Sequence, residues 1–362
     1  MKKQAKVFFI ISLLILLSFI SFVQVDGVAY EVSFEEIGSI ESTGGDTFMC
    51  EVYDDLAIII DMYGGLLTYN VSNPAIPVHL DTFYDGGIPH DFFVKDDLLY
   101  LADHHQGLEI YNISNPSNLV KLGHIADSGD GETDGVFVCD NIAYTAEWHD
   151  STWDWKMVLI NVTDPNSPER ISEYIDGDNE FTRFYVENGI CYTACLTSGF
   201  KILNVTNPNS IGEIGSFVSG GYVYDFEMRN EIAFVADGRL SIINTTDLSN
   251  PFEISNYYPG HAVFDIQLQD DLAFIAMDER GIQAINISLL DEPEKLGEFR
   301  TDDVIGIELS DDVLYLSMHE FGFMMLNYTI AEATDSIDQP GVLFVFTILS
   351  LVTMIALFKK ND

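Results

Sequence analysis

The chain has 362 residues, of which 47% are hydrophobic, and its 58 aspartates and glutamates greatly outnumber its 16 lysines and arginines. The formal net charge of −42 excludes nucleic acid as an expected partner and favours cations or basic partners. Length alone suggests two domains, an expectation that the internal repeats described below revise to one.

The N-terminal segment 1–27 has the features of a signal peptide. A basic start at Lys2 and Lys3 precedes an apolar stretch from Val7 to Val23, with Gly27 just beyond it. This order of charged, apolar and small residues predicts a cleaved secretion signal, with an uncleaved N-terminal anchor as the alternative.

The body of the chain contains one motif seven times, an Asn followed two residues later by Ser or Thr. Successive copies are 40 to 49 positions apart, the period expected of four-stranded propeller blades. The seven asparagines are Asn70, Asn112, Asn161, Asn204, Asn244, Asn286 and Asn327.

Each repeat has the strand pattern of one blade. Three runs of alternating apolar residues, called a, b and c in chain order, precede each Asn, and six repeats continue into a fourth run, d. The seventh d strand is missing at the C-terminal end, but Phe34–Glu41 matches its pattern at the N-terminal end. The sequence therefore predicts an all-β, seven-bladed propeller over 30–330, with the last blade closed by the N-terminal strand.

The repeat sequences resemble those of the LVIVD-repeat propellers. The resemblance is carried by LLYLAD (98–103), IAFVAD (232–237), GLEIYNISNP (107–116) and GFKILNVTNP (199–208). It implies a propeller fold and a secreted or surface protein, but no particular activity. The family usually has Asp where this chain has Asn in all seven repeats.

Two interpretations of the seven asparagines are open. Each Asn side chain can cap the turn between strands c and d, as an Asp would. However, each Asn also begins an N-x-Ser/Thr sequon, which Asp could not do. We therefore expect several of the seven to carry N-linked glycans.

Acidic residues are predicted to ring the central channel. Aligned a strands place seven residues at one equivalent inner position: Met49, Asp91, Gly135, Arg183, Asp225, Asp265 and Gly306. Of these, Asp91, Arg183, Asp225 and Asp265 are ligand-binding candidates, and Asp91, Asp225 and Asp265 with neighbouring Asp134 are candidate Ca²⁺ ligands. The alternative is that Arg183 neutralises part of the ring and water fills the rest.

The third repeat has the longest b–c connection, EWHDSTWDWK (147–156), which holds all three tryptophans. Trp148, His149, Trp153 and Trp155 are candidates for contact with a protein or carbohydrate, because exposed aromatic rings are common in such surfaces. The alternative is that the tryptophans fold back and pack on blade 3 or 4.

The C-terminal end predicts a membrane anchor. A short linker, 331–340, leads to an apolar segment, 341–358, long enough to span a bilayer, and residues 359–362 begin with two lysines. These features predict a single-pass protein of the cell membrane, with the propeller outside the cell and the last four residues in the cytoplasm.

The predicted function is that of a membrane-anchored, glycosylated surface propeller that binds a protein or carbohydrate ligand. One alternative is a structural protein of the cell envelope; the other is a metal-dependent hydrolase or lyase at the channel mouth. No catalytic residue is predicted, because motifs for nucleophilic catalysis, nucleotide binding and zinc hydrolysis are absent from the sequence. The four cysteines are expected to be free thiols.

Overall fold

The computed structural model describes residues 30–41, 47–62, 64–84, 86–127, 131–149, 152–177, 180–319 and 321–332. These form 28 strands, numbered in chain order. β1 is Tyr30–Ile40. Blade 1 comprises β2 (Thr47–Tyr53), β3 (Leu56–Asp61), β4 (Gly65–Asn70) and β5 (Val78–Phe83). Blade 2 comprises β6 (Pro89–Lys95), β7 (Leu98–Asp103), β8 (Gly107–Asn112) and β9 (Val120–Ile125).

The next three blades repeat this order of strands. Blade 3 comprises β10 (Gly131–Cys139), β11 (Ile142–His149), β12 (Asp154–Asn161) and β13 (Glu169–Ile175). Blade 4 comprises β14 (Phe181–Glu187), β15 (Ile190–Cys195), β16 (Gly199–Asn204) and β17 (Gly212–Phe217). Blade 5 comprises β18 (Asp225–Arg229), β19 (Ile232–Ala236), β20 (Leu240–Asn244) and β21 (Phe252–Tyr257).

The last two blades complete the ring. Blade 6 comprises β22 (Asp265–Gln269), β23 (Leu272–Ala276), β24 (Ile282–Asn286) and β25 (Glu294–Phe299). Blade 7 contains β26 (Gly306–Ser310), β27 (Val313–Met318) and β28 (Gly322–Glu332), and β1 is its fourth strand, beside β28. This order confirms the predicted seven-bladed fold and its closure by the N-terminal strand.

The core is divided among the seven interfaces between neighbouring blades. Seven clusters of buried apolar side chains occur in the described residues, and each joins two adjacent blades. For example, Tyr315 and Phe323 of blade 7 pack with Ile59 and Tyr69 of blade 1. Full burial of such a side chain stabilises the fold by about 1.5–3 kcal/mol. The interface between blades 7 and 1 is therefore built like the other six.

The tight turns between strands a and b account for many of the acidic residues. In all seven blades the first turn residue has a left-handed φ between 48° and 57°. Asn and Asp adopt this conformation more easily than other residues with a side chain. The residues concerned are Asp54, Asp96, Asp140, Asn188, Asn230, Asp270 and Asp311.

The seventh Asn does not end its strand, in contrast to the predicted pattern. β28 continues through Asn327 to Glu332, and the Thr329 hydroxyl lies 2.7 Å from the Ser33 hydroxyl of β1. The strand continues because β1, rather than a d strand that follows in sequence, lies beside it. Asn327 is exposed on this outer part of blade 7.

Contacts divide the chain into two units. Val32–Thr329 is the propeller; Met1–Glu31 with Ile330–Asp362 form the other unit, of which 30, 31 and 330–332 are described. The predicted signal peptide 1–27, membrane segment 341–358 and cytoplasmic tail 359–362 lie outside the described residues, as does most of the linker. Within the described part of the chain, no helix has the length and apolar character needed to span a bilayer.

Candidate functional site

The alignment of the inner strands is confirmed by the strand register. Asp91, Arg183, Asp225 and Asp265 each pair with an alanine near the end of strand b of the same blade. With Met49, Gly135 and Gly306 they make up the upper ring, one position from each blade. The sequence therefore predicted this level of the channel correctly, although the ligands assigned to it remain a prediction.

The three aspartates of the upper ring join neighbouring blades. Asp91 accepts a hydrogen bond of 2.8 Å from the backbone N–H of Val136 in the next blade. Asp225 accepts one of 3.2 Å from Ile266, and Asp265 one of 2.7 Å from Ile307. Charge-assisted bonds of this kind contribute about 1.5–3 kcal/mol each. These carboxylates therefore have a structural role whether or not they also bind an ion.

Arg183 neutralises part of the ring, as the alternative interpretation held. Its Nε donates a hydrogen bond of 2.9 Å to Asp225 Oδ1. Burial alone would lower the pKa of the guanidinium, but the carboxylates of Asp225, Asp91 and Asp265 raise it well above its usual range. Arg183 is therefore charged at every physiological pH.

A second, lower ring lies two residues further along each inner strand, because side chains alternate along a strand with a period of two. Glu51 accepts a backbone hydrogen bond from Val94, and Glu308 accepts one from Val52, so these residues also link neighbouring blades. This ring is not among the residues predicted from the sequence, although the same alignment moved by two positions identifies it. Its members are Glu51, Phe93, Phe137, Tyr185, Glu227, Gln267 and Glu308.

The lower ring has one aromatic side and one polar side. Phe137 lies in the middle of the aromatic side, with its ring centre 4.7 Å from that of Phe93 and 5.9 Å from that of Tyr185. The opposite side carries the carboxyl groups of Glu227 and Glu308. The channel therefore offers an apolar surface facing an acidic one.

The glutamates of the lower ring hold their protons at unusually high pH. Burial, reinforced by the nearby carboxylate of Glu308, raises the pKa of Glu51 to about 8. Burial and Asp225 raise the pKa of Glu227 to about 8, and burial raises that of Glu308 to about 7. In the upper ring, burial and the neighbouring Asp225 raise the pKa of Asp265 well above its usual range. The channel therefore carries more carboxyl groups than its single arginine neutralises.

Two cavities occupy the channel. The upper ring borders a cavity of about 510 Å³, whose wall also includes Phe181, Tyr224 and Phe264. A smaller cavity of about 140 Å³ is lined by five members of the lower ring, whereas the other two, Gln267 and Glu308, line the larger cavity. Arg183 borders both cavities. Pockets that hold small organic ligands typically have volumes of about 300–1,000 Å³, so the upper cavity is large enough for one.

Histidines and acids meet at the mouth of the channel between blades 2 and 3. His104 Nδ1 lies 3.0 Å from Asp134 Oδ1, and His104 Nε2 lies 3.0 Å from Glu132 Oε1. The hydrogen bond to Asp134 raises the pKa of His104 above its usual value. The ring of His90 stacks on that of His104, with 5.8 Å between their centres. Of the four predicted Ca²⁺ ligands, only Asp134 belongs to this group.

The tryptophans are divided between the core and the surface. β11 extends to His149 and β12 begins at Asp154, so Trp148 and Trp155 form a cross-strand pair instead of belonging to the predicted long loop. Trp155 is buried and packs, with Trp148, against Phe181 of blade 4. Trp153 is 70% exposed, has a left-handed φ of 62° and meets Trp148 edge to face. Trp153 is therefore the tryptophan available for a ligand.

Six of the seven asparagines cap the turn that follows them. The Asn204 side-chain oxygen, for example, accepts hydrogen bonds from the Thr206 backbone N–H at 3.0 Å and hydroxyl at 2.6 Å. The backbone N–H bond recurs at the other five: Asn70, Asn112, Asn161, Asn244 and Asn286. Asp247 makes the same two bonds to Ser249, at 3.1 and 2.7 Å. An Asp would therefore serve this turn, and hydrogen bonding alone does not explain seven asparagines.

The hydrogen bonds of Asn204 and Asp247 predict different effects for two substitutions at Asn204. Asn204→Ala removes the acceptor of two hydrogen bonds, so we expect the free energy of unfolding to fall by about 1 kcal/mol. Asn204→Asp keeps the acceptor and should leave stability within about 0.5 kcal/mol of the parent. Chemical denaturation of protein made without glycosylation measures both values. Equal losses in the two variants would show that the side-chain acceptor does not stabilise the turn.

The four cysteines are free thiols, as expected. Cys50, Cys191 and Cys195 are buried, and Cys139 is half-buried. Burial raises the pKa of Cys191 and Cys195, so neither is a ready nucleophile.

Comparison with solved structures supports the fold alone. A chain of the mitotic checkpoint complex is 9% identical, with a TM-score of 0.64 over 84% of this chain and 94% of that chain. The computationally designed Ika8 protein is 10% identical, with a TM-score of 0.58 over 80% of this chain and 99% of that chain. No curated protein sequence matches this chain significantly.

The repeat sequence of blade 2 matches a known family. The LVIVD repeat family matches residues 86–127, the segment that contains all four strands of blade 2. The other blades have the same strand order and the same cap between strands c and d, apart from blade 7, where β1 replaces the following d strand. The chain is therefore a seven-bladed β-propeller that contains an LVIVD repeat, in agreement with the resemblance seen in its sequence.

Proposed function

We propose that this protein is a membrane-anchored surface propeller that binds a cationic ligand with an apolar part in its central channel. One observation carries this proposal. The fourteen positions of the upper and lower rings hold six carboxyl groups and one arginine, together with three aromatic side chains on one side of the lower ring. The carboxyl groups belong to Glu51, Asp91, Asp225, Glu227, Asp265 and Glu308.

Electrostatics favours a cation in this position. Arg183 compensates Asp225 directly, but Glu51, Glu227 and Glu308 have no other cation in the two rings. A cationic group would stabilise their ionised forms and displace the protons that they hold near neutral pH. The aromatic side, Phe93, Phe137 and Tyr185, offers an apolar surface and ring faces that attract cations. A protonated or quaternary amine attached to an apolar group meets both requirements.

The position outside the cell is proposed from the sequence. A signal peptide over 1–27 and a spanning segment over 341–358 would place the propeller on the cell surface. N-linked glycans on several of the seven sequon asparagines fit that position. Support comes from the side chains of Asn204 and Asn327, which are exposed, and from the Asp247 turn, which shows that Asp would serve the turn equally well. The exposed Trp153 is proposed as a further contact with the ligand or with its carrier.

The binding proposal is tested with two probes of similar shape and opposite charge. Phenethylammonium should bind the full-length protein and raise its melting temperature, whereas phenylacetate should not. Glu51→Gln combined with Glu308→Gln should weaken phenethylammonium binding about tenfold by isothermal titration calorimetry. Glu187→Gln, at an exposed position on the inner strand of blade 4, is the matched control. Equal binding of both probes, or of neither, would exclude the proposed ligand chemistry.

The glycosylation proposal is tested separately. Protein isolated from its own host should show a mass above that of its sequence, and each Asn→Asp substitution at an occupied sequon should remove one increment. A mass equal to that of the polypeptide would show that the sequons are empty. Binding in the channel does not depend on this result.

A further inference from the structure

A second site is formed by side chains that the proposed binding channel does not use. His104, His105 and Glu132 bring one ligand atom each to within 4.8 Å of one another, at the rim between blades 2 and 3. His104 and His105 lie in the turn between β7 and β8, and Glu132 lies on β10 of the next blade. The site therefore depends on the contact between two blades and has no signature in either repeat alone.

The backbone fixes the two halves of this site against each other. The N–H of Thr133, next to Glu132, donates a hydrogen bond of 2.9 Å to the carbonyl oxygen of His104. The N–H of His104 donates in turn to the carbonyl oxygen of Ile88, at 3.0 Å. Residues on both sides of the site are therefore held in position before any ligand arrives.

Asp134 provides the orienting contact that histidine ligands of metals commonly have. Its Oδ1 lies 3.0 Å from Nδ1 of His104, so a proton on Nδ1 is donated to the carboxylate. This tautomer places the lone pair on Nε2, the atom that faces Glu132, so Nε2 can bind a metal once no proton lies between the two atoms. In many metal sites a carboxylate accepts a hydrogen bond from a histidine ligand in this way and so fixes the orientation of its ring. The hydrogen bond from His104 to Asp134 therefore determines which ring nitrogen of His104 faces the site.

We propose that His104 Nε2, His105 and Glu132 bind a divalent transition metal of the zinc type, oriented by Asp134. Two imidazoles and a carboxylate suit Zn²⁺, whereas Ca²⁺ prefers oxygen ligands. The 3.0 Å between His104 Nε2 and Glu132 Oε1 is a hydrogen-bond length. Ligand atoms around tetrahedral zinc lie about 3.4 Å apart, so this pair needs a small movement and loss of the bridging proton, and His105, within 4.8 Å of both, completes the set by moving closer. The exposure of His105 leaves a fourth position open to water or to a ligand.

The site has a built-in spectroscopic reporter. The chain has three tryptophans, and all of them lie in or beside the β11–β12 hairpin. Trp148 is the direct cross-strand partner of Glu132. A paramagnetic metal bound at Glu132 should therefore quench most of the tryptophan emission of the protein.

The experiment is a titration of the full-length, chelator-treated protein with Zn²⁺ and, in parallel, with Co²⁺. We expect one Zn²⁺ per chain by calorimetry, and with Co²⁺ both visible absorption and quenched tryptophan emission. His104→Gln and Glu132→Gln should each weaken Zn²⁺ binding at least tenfold, and Asp134→Asn should weaken it about 10- to 100-fold through the tautomer. His124→Gln, at an exposed histidine on β9, is the matched control and should bind normally.

Two outcomes would overturn the proposal. The first is that the parent protein binds neither metal stoichiometrically. The second is that His104→Gln and Glu132→Gln bind as the parent does, which would place the metal elsewhere. A melting curve of each variant separates loss of the site from loss of the fold. If His104→Gln does not fold, His105→Gln is used instead, since His105 is exposed, and unchanged binding in that variant would also overturn the proposal.

Discussion

Replacing Arg183 by methionine should destabilise the propeller by about 3 kcal/mol at pH 8, the lower end of the range for breaking a buried ion pair, because the Arg183 side chain is 34% exposed. Arg183 contacts Asp225 and is the one cation among the fourteen positions of the two rings. Without it, the carboxylates of the channel repel one another and lack a counter-charge. At pH 5 the loss should be smaller, because Asp265 and the lower-ring glutamates then hold their protons.

Chemical denaturation at the two pH values measures this effect. Arg300→Met is the control, because Arg300 is 70% exposed and pairs with Glu298 on the surface, where an ion pair contributes about 0–1 kcal/mol. Arg183→Met combined with Asp225→Asn should recover part of the loss. If Arg183→Met is as stable as the parent at pH 8, the acidic channel needs no counter-charge.

The second large effect is a loss of stability as the pH rises. The pKa of Glu51 and of Glu227 is about 8, and that of Glu308 about 7, all above their ordinary value of 4.5. Between pH 4.5 and about 8, the folded state therefore binds more protons than the unfolded state. Their contribution to stability is complete below pH 4.5 and is lost as the pH rises through 7 to 8. We expect the melting temperature to fall by about 5 °C between pH 5 and pH 9 from these groups.

Neutral variants identify the groups responsible. Glu51→Gln keeps an acceptor for the N–H of Val94 but cannot ionise, so it should melt higher than the parent at pH 9 and about equally at pH 5. Glu187→Gln, at an exposed position on β14, should follow the parent at both pH values. A parallel pH profile for Glu51→Gln and the parent would assign the pH dependence to other groups.

The sequence predicted the fold and one level of the channel because both depend on local, repeated signals. Strand alternation and left-handed turns recur in each blade, and the Asn cap recurs in six of the seven, so the copies support one another. The upper ring follows from the same alignment. The lower ring could also have been found, since Glu51 lies two residues after Met49 on the same strand and faces the same way.

Other parts of the site could not be found from the sequence. The pairing of Trp148 with Trp155 depends on where β11 stops pairing with β12, and polar residues between them suggest a loop instead. The contacts of His104 with Glu132 and Asp134 join two blades, and their exact geometry depends on how adjacent sheets pack. Repeat patterns describe what blades share, whereas these contacts occur at one interface only.

The closing strand has a consequence for the order in which the protein is made. β1 is synthesised at the start of the propeller, but its partner β28 follows about 290 residues later. At a synthesis rate of about 5–20 residues per second, β28 is made about 15 to 60 s after β1, and β1 has no partner during that interval. Glu31, Glu35 and Glu36 are exposed on β1, and charges on an unpaired strand discourage pairing with the wrong edge. These glutamates therefore protect β1 from wrong pairing chiefly during translation, when blades 1 to 6 are complete and the ring is still open.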